Sequence, residues 1–459
     1  MRKERIFLNA FEMNTPGHQS PGLWQHPDDQ SHRYKDSEYW MNLAKILEQG
    51  RFDAVFLADV LGTYDVYGGS RDAAVRNGVQ SPVNDPSYVV PYMAAVTEHL
   101  GFGVTSSVIH EHPYTFARRM TTLDHLTNGR IGWNIVTSYL KSAAINIGHD
   151  QIPHDERYDI ADEYLEVCYK LWETSWEDDA VIIDKGKGIY TDPTKVHNIN
   201  HKGKYFHVPG AHLSEPSKQR TPVLFQAGAS KRGRAFAAKH AELAFIGAPN
   251  IGVAKETVAK LRSEAVKAGR APEDIKVLTM IVPIVGKTEE EAAEKYNDYK
   301  KYISTEGAFA LFGGWTGVDL SDYAPDQEIQ YIENDSIRST LKNFTKVNPH
   351  GKTTVEDLKY TIGIGGMGAS IIGSAEQIAD TMEQWVEEAD VDGFNIAYAL
   401  SPDTFKDFVE LVVPILQERG LVQKEYEGSS LRDRLFHNGD HLSDQHPGKN
   451  MAISKTFTY

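Results

Sequence analysis

Short apolar runs alternate with stretches of helical periodicity along most of the chain, and the most informative of them is residues 129–158, GRIGWNIVTSYLKSAAINIGHDQIPHDERY. From Arg130 to Val136 this stretch is almost continuously apolar, the pattern of a parallel strand covered on both faces. The run then breaks into Thr137, Ser138 and Tyr139, and a helix opens near His154 and extends to about Trp172. Ligands of parallel α/β folds sit at that end of the strands. Comparable runs start at Ile6, Phe52, Gly101, Thr221, Leu243, Lys276 and Gly393. Helical patterns follow them at Ser37 to Glu48, Ser87 to His99, Tyr114 to Leu126, Lys231 to Ala241, Val253 to Lys267, from Thr288, and at Thr404 to Glu418, with one more from Ala375 to Glu388. Eight strand–helix units predict an α/β fold, a (β/α)8 TIM barrel whose active site lies on the loops after the strands.

Three stretches break the rhythm and predict insertions at about 60–86, 176–220 and 304–372 within a single barrel domain spanning 1–420. The first is too long for an ordinary connection and rich in aromatic and apolar residues, which predicts an ordered lid. In the third, Gly363, Gly365 and Gly368 match the spacing of a dinucleotide fingerprint, yet a helical pattern precedes them and no strand opens them, so a loop is expected. The polar residues 421–459 form a C-terminal extension expected to wrap a neighbour or to be partly mobile.

The formal charge of −16 is spread along the chain without a basic stripe, which excludes nucleic acid and anionic membranes as natural partners. No apolar run approaches 18 residues and no apolar leader opens the chain, so a soluble cytoplasmic protein is expected. Cys168 is the single cysteine and falls on the apolar face of a helix, which excludes an intrachain disulfide. His110 and His112 have the spacing of a metal pair, but no further ligand is identifiable by spacing and no metal is expected. Asp59 ends the second strand, where it is either a helix cap or a ligand-facing carboxylate. Thr105 and Ser107 share one face of the third strand. Ser230, after Gly228 and Ala229, opens a helix whose free N–H groups suit an anion, although a plain N-cap explains it equally.

The segments NAFEMNTPGHQSPGLWQHP, RFDAVFLADVLGTYDVYGGS, ARRMTTLDHLTNGRIGWNIVTSYL, HDERYDIADEYLEVCYKLWE and QAGASKRGRAFAAKHAE resemble the bacterial-luciferase-like flavin monooxygenases. The resemblance is to the branch with nitrilotriacetate monooxygenase, pristinamycin synthase and dibenzothiophene-sulfone monooxygenase, above all its dimethyl-sulfide and long-chain alkane enzymes. It runs to about residue 435. It implies a barrel enzyme that uses O2 and reduced FMN (FMNH2) supplied by a separate NADH:FMN oxidoreductase. A flavin C4a-hydroperoxide then transfers one oxygen atom and leaves water, in a site that excludes solvent.

Carried over by position, the resemblance puts Asp59, Thr105 and Ser107 near the isoalloxazine, with Asn134 and Thr137 lining its pocket. His154, Tyr158, Gly228, Ala229 and Ser230 hold the ribityl chain and phosphate. On the substrate side His18, Tyr64, Gln80 and Tyr139 are the candidates for hydrogen bonding and proton donation. The alkane pattern has Cys where this chain has Thr15, and His where it has Tyr139 and Leu311, while FGGWTG and NDSIRSTLKNFT resemble the dimethyl-sulfide enzyme. These departures favour a small organosulfur or other compact apolar substrate over a long-chain alkane. A homodimer or homotetramer is expected. The rival readings are a metal-dependent barrel hydrolase built on His110 and His112 and a non-catalytic flavin-binding protein.

Overall fold

The computed structural model describes residues 5–228, 230–328 and 354–452. Eight strands close the expected barrel: β1 (Phe7–Met13), β2 (Ala54–Ala58), β3 (Gly101–Ser107), β4 (Ile131–Val136), β5 (Val223–Gln226), β6 (Leu243–Ile246), β7 (Lys276–Gly286) and β8 (Gly393–Ile396). Each pairs in parallel with its neighbours in sequence, and β8 returns to β1, Phe7 lying opposite Gly393 and Asn9 opposite Asn395. The helices that matter below are α1 (Ser37–Gln49), α2 (Pro113–Leu126), α3 (His154–Tyr169), α4 (Lys231–His240) and α5 (Thr305–Thr316).

The barrel interior is filled in layers. Phe11, Phe56, Phe225 and Phe245 form an aromatic plug with edge-on or tilted contacts at centroid distances of 5.0–5.7 Å. The plug needs room on β3 and β4, and the register supplies it: Phe56 lies opposite Gly103, and Gly103 opposite Gly132. A Cβ on Gly132 would stand 2.5 Å from the Phe225 ring. Above the plug Met13 and Ala58 end β1 and β2, and Thr105 and Asn134, paired two residues before the ends of β3 and β4, border an open mouth.

The other end is closed by residues 421–452 of the C-terminal segment, while residues 453–459 lie outside the described residues. Leu431 and Leu435 enter the inner apolar cluster, and a Cβ on Gly101 would stand 2.6 Å from Leu431. Arg432, 2 % exposed, pairs with Glu242 at 2.7 Å and donates to the carbonyls of Thr221 and Pro222. The tail reads as polar although Arg432 and Arg434 are spent on backbone carbonyls and, for Arg432, on the buried Glu242 carboxylate.

Other differences also have local causes. The helix expected over 87–99 is a 3-10 turn (Pro86–Tyr88) and a short helix (Val90–Ala94), since Pro91 brings no N–H to a preceding turn. The helix over 404–418 contains a π turn, Phe408–Val412, just before Pro414, whose missing N–H cannot satisfy the usual carbonyl. Within 304–372 the structure has α5, a helix Val355–Gly363 and a strand Ala369–Ser374 that pairs with the far end of β7. That strand has two isoleucines between glycines and no alternation to reveal it. Residues 60–86 are ordered: Tyr64, Ala73, Ala74 and Val79 pack in one cluster with Phe309, Leu311 and Phe312 of α5. Residues 176–220 carry two small antiparallel hairpins. Among the described residues no helix is long and apolar enough to cross a membrane.

Candidate active site

Above the aromatic plug lies a cavity of about 350 Å³, here called the inner cavity. Phe11, Phe56 and Phe245 floor it, and His18, Gln19, Tyr64, Gln80, Tyr139 and Trp315 cover it. The polar groups on its walls are Asp59, Thr105 and Asn134. Seven residues singled out from the sequence therefore meet in one place: His18, Asp59, Tyr64, Gln80, Thr105, Asn134 and Tyr139.

The covering loops are tied by a directed hydrogen-bond chain. Tyr64 donates to Gln80 Oε1 at 2.9 Å, so its oxygen accepts from the Tyr139 hydroxyl at 2.9 Å, and Gln80 Nε2 donates to the His18 carbonyl at 3.1 Å. Gln80 adopts a left-handed φ of 47° while its N–H binds the Gly17 carbonyl at 2.8 Å. Burial pushes the Tyr64 phenol well above its ordinary range and the Tyr139 phenol up to about 12, so both are neutral at physiological pH.

His18 is 1 % exposed, and burial pushes it down to about 3 against the opposing effect of the Phe11 backbone. Its Nδ1 is buried without a partner, and the Phe11 ring lies edge-on at 4.4 Å. A neutral imidazole in this setting serves as a hydrogen-bonding group and holds no spare proton near pH 7. Asn134 Nδ2 donates to Thr105 Oγ1 at 2.9 Å, which leaves Asn134 Oδ1 buried and unpartnered. Asp59 accepts from the Val60 N–H at 2.8 Å. Burial, and then the nearby Asp85 carboxylate, raise it to about 7 against the Val60 N–H and the Arg119 charge.

A second, outer cavity of about 380 Å³ adjoins the first and shares Asp59, Val60, Thr105, Val136 and Tyr139 with it. Asp85, Ser107, His110, Glu111, Arg119 and Ser138 also line it. Ser107 therefore faces the outer space, its hydroxyl accepting from the Ile109 N–H at 3.2 Å. Thr137, half-buried on the loop after β4, lines neither cavity. His112 caps α2, its Nδ1 accepting from the Tyr114 N–H at 3.3 Å.

The third part of the site is the angle between the first turns of α3 and α4. Ser230 caps α4, its Oγ accepting from the Gly233 N–H at 2.9 Å, while other first-turn N–H groups lack an intrahelical acceptor. A Cβ on Gly233 would stand 2.6 Å from the Tyr158 hydroxyl, 3.0 Å from Gly228 Cα and 3.1 Å from Ser230 Oγ. Tyr158, Gly228 and Ser230 thus converge on one spot that only glycine leaves open. Ala229 lies outside the described residues. His154, half exposed, pairs with Asp155 at 2.7 Å and sets its ring against Tyr158 at 5.3 Å. Arg157, on the same turn, keeps its Nε buried without a partner, and burial lowers its pKa.

Sequence reasoning missed Arg157, which sits in a charged HDERY run indistinguishable from a solvated helix face. It also missed Trp315, one aromatic among several in a stretch without strand or helix punctuation. Asp85 and Arg119 carried no signal beyond ordinary capping and surface charge.

The chain matches the family model described as luciferase-like monooxygenase over residues 11–393. It is 51% identical over 447 residues to the dimethyl-sulfide monooxygenase of Hyphomicrobium sulfonivorans, covering 97% of this chain and 93% of that protein. It is 54% identical over 445 residues to the long-chain alkane monooxygenase of Geobacillus thermodenitrificans, covering 96% and 97%. Among solved structures, the riboflavin lyase RcaE with modified FMN and riboflavin superimposes with a TM-score of 0.88 at 39% identity, over 97% of this chain and 98% of that one.

Proposed function

The chain belongs to the luciferase-like monooxygenase family, the flavin-dependent monooxygenases, and from that premise we propose a two-component enzyme for a small organosulfur substrate such as a dialkyl sulfide. In this reading a separate NADH:FMN oxidoreductase supplies reduced FMN, and one atom of O2 enters the substrate. The observation that carries it is the lidded, aromatic-floored cavity at the barrel mouth, whose lining reaches Ala227, the residue before Gly228 of the anion cradle. The unpartnered groups of the site fit FMN. Arg157 Nε and the α4 N-terminus, beside the Tyr158 hydroxyl, would suit a phosphate, and Asn134 Oδ1 would accept a hydrogen bond from the flavin.

When bound, reduced FMN supplies the electrons that activate O2. The chain's own residues do the rest. His154, Arg157, Tyr158, Gly228 and Ser230 hold the phosphate end, and Asp59, Thr105 and Asn134 border the ring. Phe11, Phe56, Phe245 and Trp315 keep water from the reacting centre. Tyr139, Tyr64 and Gln80 orient a hydrogen-bond chain over it, with neutral phenols as donors. His18 offers a fixed imidazole and no proton.

The substrate reading rests on space. A cavity of about 350 Å³, at the small end of ligand pockets, must also admit the flavin ring, which leaves room for a compact molecule. Tyr139 reaches this cavity, whereas Leu311 is fully buried in the α5 cluster and does not. The equal sequence likeness to the alkane enzyme sustains long-chain alkane oxidation as a second reading. Turnover with a generic flavin reductase, NADH, FMN and a panel of dialkyl sulfides and alkanes separates them. Coupled NADH and O2 consumption with sulfides is expected. Product from alkanes alone favours the second reading, and hydrogen peroxide as the sole product with every compound contradicts both.

A further inference from the structure

The inner cavity opens at the barrel mouth beneath the covering loops, one of its walls is common to the outer cavity, and a single carboxylate stands in that wall. We propose that Asp59 carries protons between the inner cavity and bulk water, and that the outer cavity lined by Asp85, Glu111 and Arg119 is its water-filled antechamber. What the proton is used for rests on the flavin reading. The path itself does not.

Among the described residues lining the inner cavity, Asp59 is the sole carboxylate. The other titratable groups there are His18, held neutral, and the phenols of Tyr64 and Tyr139, held protonated. These groups can relay a proton through hydrogen bonds, but none exchanges one with water near neutrality. Asp59, raised to about 7, does. The groups facing it come from every side. Asp85 comes from the loop before Pro86–Tyr88, His110 and Glu111 from the loop after β3, Arg119 from α2, and Tyr139 from the loop after β4.

Arg119 is bound to Glu111 at 2.6 Å and to Ser106 Oγ at 3.2 Å, so it acts on Asp59 as a charge at a distance. His110 Nδ1 and Arg119 Nε are buried without protein partners. A space of about 380 Å³ bordered by such unpaired groups has room for several waters, each occupying about 30 Å³ in the liquid. In the overall reaction, reduced FMN, O2 and substrate give FMN, water and oxygenated substrate. A carboxyl that lends a proton to the departing oxygen and regains one from the antechamber, to which the proton given up by reduced FMN is in turn released, leaves that sum unchanged.

Infrared titration of the flavin-free protein tests the path, and the pH profile of turnover tests its use. The expected result is a protonated-carboxyl band that titrates near pH 7 and is absent in Asp59→Asn. Asp85→Asn, which keeps a capping side chain for the Ser87 N–H, removes a repelling charge and moves the titration to lower pH. Arg119→Gln removes an attracting one and moves it to higher pH, each by on the order of one unit. The alkaline limb of turnover, where the donor is lost, follows in the same directions. A band indifferent to both neighbours, or a limb that stays in place while the band moves, overturns the proposal. A band that moves as expected in a protein without affinity for FMN supports the path and overturns the flavin reading instead.

Discussion

Gly132 shows how far a single missing side chain reaches: a Cβ there would meet the Phe225 ring, which packs edge-on against Phe56 in the plug beneath the mouth. Gly132→Ala is therefore expected to destabilise the protein by about 1–3 kcal/mol through overpacking, read from the midpoint of urea unfolding. Tyr64→Phe keeps the ring packed against α5 but removes the link between Tyr139 and Gln80. Coupled turnover is expected to fall on the order of 100-fold, with peroxide release taking its place, and unchanged coupling would remove Tyr64 from the chemistry.

Glu12 gives a stability test. Burial raises it to about 8 although Ser401 donates to it at 2.9 Å. Folded, it holds a proton that the unfolded chain releases near 4.5, so it contributes a loss of stability as pH rises from about 4.5 to about 8. Glu12→Gln is expected to flatten that decline in denaturation curves at pH 5 and pH 8, whereas an unaltered slope would contradict the assignment. Asp59 was legible because a carboxylate stands where an apolar run stops, and Thr105 because it shares a strand face with Ser107, whereas Asn134 followed from the family resemblance. Arg157 was not, because a cation aimed at a buried spot looks the same in a sequence as one aimed at water.

At the scale of elements, the cradle depends on how α3 and α4 are held together. Asp162 of α3 accepts from Arg232 at 2.8 Å, Lys239 at 2.9 Å and His240 at 2.8 Å, all of α4. His240 donates through Nε2, so its Nδ1 accepts from the Tyr169 hydroxyl at 3.1 Å. Burial pushes Asp162 up, but these partners outweigh it and hold the carboxylate well below its ordinary value. Ser230→Ala is expected to cost about 1 kcal/mol as a lost cap and, in addition, to weaken FMN binding measured by fluorescence titration. A stability loss with unchanged affinity would leave Ser230 as a cap alone. The helices and strands of regular period were readable in advance. The π turn at Phe408–Val412 and the strand Ala369–Ser374 were not, since proline accommodation and pairing with an overlong β7 are decided by tertiary context.

Over the whole molecule, the described C-terminal residues seal the lower end of the barrel, and its mouth lies above the aromatic plug. Arg432 and Glu242 form the seal's buried ion pair. Burial raises the Glu242 carboxyl, yet Arg432 more than offsets this and keeps it ionised. Arg432→Met strands that charge and is expected to cost about 3–5 kcal/mol in denaturant unfolding. A near-neutral result would mean that the segment is dispensable. Closure of eight strands was readable because it needs only their count and order. The seal was hidden, because nothing in a polar tail tells which of its cations will be buried.

Labelled oxygen shows whether the barrel mouth uses reduced flavin to divide O2 between substrate and water. The protein, a flavin reductase, NADH, FMN and a dialkyl sulfide are incubated under 18O2, and the oxygenated product is analysed by mass spectrometry under conditions where it does not exchange with water. One labelled oxygen atom per product molecule is predicted. Product whose oxygen comes from unlabelled water would contradict the account.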